Sequence, residues 1–157
     1  MGFYSDVILP RLCDLAMRNK QLVPYRERVI GAAEGRVLEI GVGSGMNLPF
    51  YRPPVREVLA LEPAPRLVTM AKSASHGTRT PVRFVEASAQ AIPLDDHSID
   101  TVGTTWTLCS IPQASTALGD AARAAAGWQA PVRRARPRTR RERALVAGSA
   151  DAGLAAY

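Results

Sequence analysis

The stretch that most constrains this chain is Arg36 to Asn47, RVLEIGVGSGMN. Its apolar run Val37-Leu38-Glu39-Ile40 stops at Gly41-Val42-Gly43-Ser44-Gly45, the pattern of a buried parallel strand that ends in a glycine turn. Glycine there permits positive φ and lets the main chain approach a ligand closely. Ser44 is an N-cap type of residue, so the turn is expected to open a helix whose first amides face the ligand. This is a nucleotide-binding geometry, and it belongs to an open α/β sheet.

The rest of the body agrees with such a sheet. Phe3 to Met17 places apolar residues at near-helical spacing, and residues 18 to 35 read as a second helix and turn. After the glycine turn come a second strand, Val58 to Glu62, and a helix, Pro65 to Ser73, with proline in its first turn. Val82 to Val85 is a third strand, Ala91 to Ser98 a loop, and Ile99 to Cys109 a fourth strand. Strand, helix, strand, helix, strand, loop, strand predicts a Rossmann-like, doubly wound parallel α/β sheet. Thr116 to Gln129 is helical on propensity, Pro131 to Arg143 is an Arg/Pro run, and no strand pattern follows Cys109. The sheet is therefore expected to stop after its fourth strand, leaving that strand as an apolar edge.

Three features fall on successive strand ends: Gly41, Gly43 and Gly45 after the first, Glu62 after the second, and Ala87-Ser88-Ala89 after the third. In an open α/β sheet these positions face one crevice. A carboxylate such as Glu62 can accept both hydroxyls of a ribose side by side. A dinucleotide fingerprint requires a third glycine where Met46 stands, so that motif is broken. His97, in Asp95-Asp96-His97-Ser98, and His76, beside Gly77, read as turn residues, and Cys109 as a small buried hydrophobe. Trp106 either lines an acceptor pocket or fills core.

These segments resemble a known family. LEIGVGSG, with Glu39 two residues before the first glycine, is similar to motif I of class I S-adenosylmethionine-dependent methyltransferases. LEPAPRLVTMA resembles their acidic second motif, and AIPLDDHSIDTVGTTWTLCSI their strand-four region. The Leu-Cys-Ser-Ile ending and the opening FYSDVILPRLCDLAM are closest to the methyltransferase type 11 group and to small thiol and lipid-associated methyltransferase-like enzymes. The resemblance spans residues 3 to 118. It implies S-adenosylmethionine as cofactor, with Glu39 and the Gly41, Gly43, Ser44 and Gly45 amides on its methionine part and Glu62 on its ribose. It places Ser88 and Ala89 beside the adenine, although many members carry Asp where Ser88 stands, and Thr104 and Thr105 near the methyl group. It names no acceptor and no general base; the acceptor class it implies is a small molecule.

Charge separates the chain into two parts. Residues 1 to 118 hold 12 Lys+Arg against 11 Asp+Glu, whereas residues 119 to 157 hold 8 Arg against 3 acids. The tail is a different compositional object from the methyltransferase-like body. A shifted reading frame accounts for it: with suitable codons for Gly119 to Arg138, dropping the first base spells EMRRVLRPGGKLLFVEHGR, a family-like helix, turn and fifth strand. Val146 to Leu154 likewise yields WQDRLTPAW. A frameshift near Leu118–Gly119 is therefore hypothesised, with the tail helical and then disordered. The alternatives to an active methyltransferase are an inactive cofactor-binding remnant and a basic-tailed nucleic-acid binder; the tail lacks interleaved aromatics, so no nucleic acid is expected. Cys13 and Cys109 form no disulfide framework or metal spacing, and no apolar run suits a signal peptide or a membrane span. A cytoplasmic location and a metal-free site are expected.

Overall fold

The computed structural model describes residues 15, 17–125 and 145–147. Strands β1 (Gly35–Ile40), β2 (Val55–Leu61), β3 (Val82–Val85), β4 (Thr101–Thr105) and β5 (Leu145–Ala147) form one parallel sheet, ordered β3-β2-β1-β4-β5. The centre of β1 is shut off from water on both faces, with Val37, Leu38 and Ile40 at 0% exposure. A strand covered on both faces must be apolar on consecutive residues, which is why Val37-Leu38-Glu39-Ile40 lacks alternation. β1 pairs with β2 up to Ile40↔Leu61 and with β4 up to Ile40↔Thr104. This register brings Gly41 and Glu62, each one residue past its strand, together at the carboxyl edge. The chain order reverses between β1 and β4, so the edge is also the topological switch point.

Helices cover both faces. Ile30 at the end of α1 (Val23–Ile30) and Ala71 of α2 (Pro65–Ser75) join Val37, Val58, Leu48 and Tyr51 on one side. On the other, α3 (Ala114–Ala124) buries Ala117, Ala121 and Ala124, at helical spacing, against Leu38, Ile40 and Leu59. Each buried Leu or Ile contributes about 1.5–3 kcal/mol relative to exposure. α3 runs without a break through Leu118 and Gly119. Its last turn also ties down the loop before β4: Asp120 accepts the Ile92 N–H, and Arg123 donates to Asp120 (2.7 Å), to Asp96 (2.6 Å) and to the carbonyl of Leu94 (2.8 Å).

The expected elements are found, with four corrections. No helix follows the glycine turn; residues 41–47 are turns leading to a 3₁₀ turn, Leu48–Phe50. Gly43 (φ +58°) and Gly45 (φ +86°) interrupt any right-handed run, and Pro49 and Pro53 leave too little chain to start another. The fourth strand ends at Thr105 rather than Cys109, because Trp106 takes φ +53° and breaks the extended path. Cys109 is exposed, in the 3₁₀ turn Leu108–Ser110, and is not core. A strand does follow Cys109: β5 pairs Gly103↔Leu145 through Thr105↔Ala147, so β4 is not the edge of the sheet along those residues. Three residues are too few for a period-two signal, so β5 leaves no readable pattern in the sequence.

His97 is an exposed turn residue with φ +56°, as its sequence context predicts, and His76 caps the end of α2. The helix expected over Phe3 to Met17 lies outside the described residues except for Leu15 and Met17, as does the Arg/Pro run 131–143. Among the described residues no helix is long and apolar enough to cross a membrane, and no cluster of His, Cys, Asp and Glu has metal-binding form.

Candidate functional site

A cavity of ≈ 310 Å³ opens at the carboxyl edge of the sheet. Its floor is the glycine turn, because Gly41 and Gly43 adopt φ +70° and +58° and so fold the chain back over the ends of β1 and β2. Gly41 has no room for a side chain: a Cβ there would lie 2.2 Å from Thr107. Gly43 faces open space, with nothing within 4 Å of a Cβ position. The first glycine is thus needed for packing under the turn, and the second keeps its ligand side clear.

Glu62 forms the wall beside this floor. It is 6% exposed, and the main chain holds both its oxygens: Oε2 accepts the Gly43 N–H (3.1 Å) and Oε1 the Ala64 N–H (3.1 Å). Burial raises its pKa, opposed by those two amides. The carboxylate keeps lone pairs for a diol. It also takes up the Gly43 amide that a phosphate would otherwise bind and sets a negative charge there, so the floor suits a nucleoside better than a pyrophosphate.

Glu39 lies behind the turn and is 1% exposed. Side chains, not amides, satisfy it: Asn47 Nδ2 donates to Oε1 (2.6 Å) and Tyr51 OH to Oε2 (3.0 Å). Asn47 Nδ2 also donates to Thr105 Oγ1 (2.8 Å), and Asn47 Oδ1 accepts from Arg26 of α1. Burial pushes the Glu39 pKa up to about 7, against the lowering effect of Asn47, Tyr51 and Arg26. The same burial, together with Glu39, drives the Tyr51 phenol well above its ordinary value. Arg26 stacks its guanidinium 4.9 Å from the centroid of Trp106, which has positive φ and lines the cavity.

The positions expected from sequence divide accordingly. Gly41, Gly43, Ser44, Glu62, Ser88, Ala89 and Thr105 line the cavity. Glu39 and Gly45 stand behind it, and Gly45 packs against α2, where a Cβ would meet Ala71 at 3.0 Å. Thr104 is 2% exposed and points away from the cavity residue Thr105, its hydroxyl without a hydrogen-bond partner. Ser88 is exposed, and its hydroxyl accepts the Gln90 N–H (3.2 Å). Trp106 lines the pocket. Sequence reasoning missed Arg26, Asn47 and Tyr51; only Asn47, two residues past the last glycine, stood close enough to the motif to be suspected.

With this geometry in place, the comparison with known families is decisive: residues 38–126 match the model of the methyltransferase domain. The chain belongs to the methyltransferase domain family. The chain is 34% identical over 71 residues to the uncharacterized methyltransferase YcgJ of Bacillus subtilis, a match covering 45% of this chain and 28% of that protein. The crystal structure of YcgJ superposes with a TM-score of 0.58 at 26% identity, over 65% of this chain and 46% of that one. An S-adenosylmethionine-dependent methyltransferase from Aquifex aeolicus (TM-score 0.61, 22% identity, 74% and 67% covered) shares the fold. So does the putative methyltransferase in complex with the Trm112 activator from Haloferax volcanii (TM-score 0.64, 21% identity, 77% and 54% covered). The chain therefore spans less than half the length of the YcgJ protein it matches.

Proposed function

We propose that this methyltransferase domain binds S-adenosylmethionine in the cavity above the Gly41–Gly45 turn and donates its methyl group to a small-molecule acceptor. The observation that supports this most directly is Glu62, a buried carboxylate held by the Gly43 and Ala64 amides at the end of β2. Its remaining lone pairs suit a ribose diol. Ala89 and Leu67 offer apolar wall for a purine, with Ser88 at its border. The Gly41, Gly43 and Ser44 turn would carry the amino-acid end, and Glu39 would act on it through Asn47 rather than by contact. The Glu62 carboxylate at the floor also favours a ligand with positive charge.

When bound, the cofactor supplies a methyl group on a sulfonium sulfur, which an acceptor displaces in line. The chain's task is then positioning and exclusion of water. Trp106, Met17, Ile111 and Pro112 are the apolar lining that would suit an acceptor, and Thr105 lines the same cavity. Among the described residues of that wall there is no histidine or carboxylate, and an acceptor that needs no protein base, such as a thiolate or an amine, suits it.

Titration calorimetry tests the reading. The chain is expected to bind S-adenosylmethionine, and Glu62→Ala to weaken binding about tenfold, as for loss of hydrogen bonds to a charged group. No binding by the unsubstituted chain would defeat it. Transfer of a labelled methyl group to thiol and amine panels then sorts the acceptor class.

A second reading, a cofactor-binding domain without transfer activity, is supported by the shifted-frame spelling of residues 119–138. In that reading residues 1–118 are the N-terminal part of a methyltransferase domain and the remainder is out of frame. Sequencing the coding DNA across codons 110 to 125 decides it: an uninterrupted frame whose bases cannot spell the family-like peptide one step over removes the reading.

A further inference from the structure

The connection from β3 to β4, residues 86–100, holds no helix, although a parallel crossover usually runs through one. Its main chain therefore needs partners from elsewhere, and the end of α3 supplies them. Asp120 Oδ2 accepts the Ile92 N–H. Arg123 donates through Nη2 to the Ile92 carbonyl (3.0 Å), and through Nη1 to the Leu94 carbonyl (2.8 Å) and to Asp96 (2.6 Å). Arg123 Nε also donates to Asp120 Oδ1 (2.7 Å), which ties the two side chains together. Ile92 is thus held at both its N–H and its carbonyl. Immediately before it runs a tight turn, closed by the Gln90 N–H to Ser88 Oγ (3.2 Å) and the Ala91 N–H to the Ser88 carbonyl (3.1 Å). Ser88, Ala89 and Gln90 of that turn line the cavity, and Ala89 and Ile92 are buried in the same core cluster as Ala117, Ala121 and Ala124 of α3. With the Arg123 side chain 36% exposed, its ion pairs add little stability; what the arrangement fixes is a position.

We infer that Asp120 and Arg123 are positioning residues for the purine side of the cavity: through Ile92 they hold the Ser88–Gln90 turn where the base of the cofactor docks. The inference rests on the S-adenosylmethionine reading. Neither residue lines the cavity, so their effect on a ligand travels through the loop between them and it. Main-chain groups have a fixed donor or acceptor polarity. Adenine and hypoxanthine present opposite polarity on the edge that carries their amino or keto group, so a turn held in one place tells them apart and a loosened turn does not. Both residues also stand beyond Leu118–Gly119, where the reading frame is hypothesised to change, so the site draws on that part of the chain.

The test compares S-adenosylhomocysteine with S-inosylhomocysteine, which differ only in the base. By titration calorimetry the unsubstituted chain is expected to favour the adenine ligand about tenfold, and Arg123→Met to bring the two within about twofold by weakening the adenine ligand. Arg123→Lys keeps the charge but loses the fork, and is expected to fall between. Hydrogen exchange gives a second readout: amides of residues 88–94 are expected to exchange faster in Arg123→Met while those of β1 do not change, a local loosening that a general loss of stability does not produce. Equal weakening of both ligands, or exchange accelerated alike in the loop and in β1, would show that Arg123 only supports the fold. An unchanged preference in the variant, or none in the unsubstituted chain, would show that this turn does not read the base. Each of these results overturns the inference. If Arg123→Met does not fold, Arg123→Lys carries the same comparisons by the same criteria. Failure of the unsubstituted chain to bind either ligand would defeat the cofactor reading, and the inference with it.

Discussion

Glu39 and Glu62 stand at neighbouring positions of the same sheet, one near the end of β1 and one just past β2, yet they are held by opposite means. Glu62 is satisfied by main-chain amides of Gly43 and Ala64 and reaches the cavity. Glu39 is satisfied by the side chains of Asn47 and Tyr51 and stands behind the turn. A carboxylate tied by amides depends on backbone shape alone, so it follows from strand register. A carboxylate tied by side chains depends on residues that several elements must deliver together. The first arrangement leaves a carboxylate open to the cavity; the second makes a buried hub to which the wall of the site is tied.

The comparison would break most visibly at Asn47. Asn47→Leu removes one donor from Glu39, the acceptor of Arg26 and the partner of Thr105 in one change, leaving two buried charged groups short of bonds. A loss of about 3–5 kcal/mol in urea unfolding is expected, the size seen when a buried charge network is opened. The corresponding change on the Glu62 side, Ala64→Gly, keeps its amide and is expected to cost less than 1 kcal/mol. Equal losses would mean the two carboxylates are not held differently.

Protonation sharpens the contrast. The Glu39 pKa is raised to about 7, against 4.5 for the ordinary group. Between those values the folded chain holds a proton that the unfolded chain has released, so stability falls as pH rises. The contribution is fully present below pH 4.5 and is lost by about pH 7, amounting to about 3 kcal/mol at 1.36 kcal/mol per pH unit. Glu39→Gln is expected to remove this slope, read as unfolding free energy at a series of pH values. An unchanged slope in the variant would place the titration elsewhere.

This difference also separates what the sequence discloses from what it conceals. Strand ends follow from apolar runs stopped by Gly41 and Glu62, so the parallel sheet and the cavity floor were legible. Tyr51 was not, because it stands in a proline-rich connection with no periodicity, and its role arises only from the 3₁₀ turn Leu48–Phe50 that the glycines force. Arg26 was hidden among the mixed charges of residues 18 to 35, where nothing local distinguishes a buried arginine from an exposed one. The expected helix after Gly45 failed for a related reason: N-cap chemistry at Ser44 is a local signal, and positive φ at Gly43 and Gly45 overrides it.

The smallest change bears on the glycines themselves. Gly43→Ala meets no atom within 4 Å, so its cost to the fold is the left-handed conformation at φ +58°, about 1–2 kcal/mol. Its Gly43 N–H to Glu62 is retained, and the Glu39 network is untouched. Gly41→Ala, by contrast, drives a methyl group to 2.2 Å from Thr107, and Thr107 is bonded to the Thr105 carbonyl, so relief must move the end of β4. Chemical unfolding of the two variants should therefore differ by more than the shared φ strain. Ligand titration should run the other way for Gly43→Ala, whose new methyl group lies on the open side of the floor: little stability is lost while nucleoside binding falls. A Gly43→Ala protein that binds S-adenosylhomocysteine as the unsubstituted chain does would mean the ligand does not approach the turn there, and Glu62 would then be a structural cap of the glycine turn like Glu39 behind it.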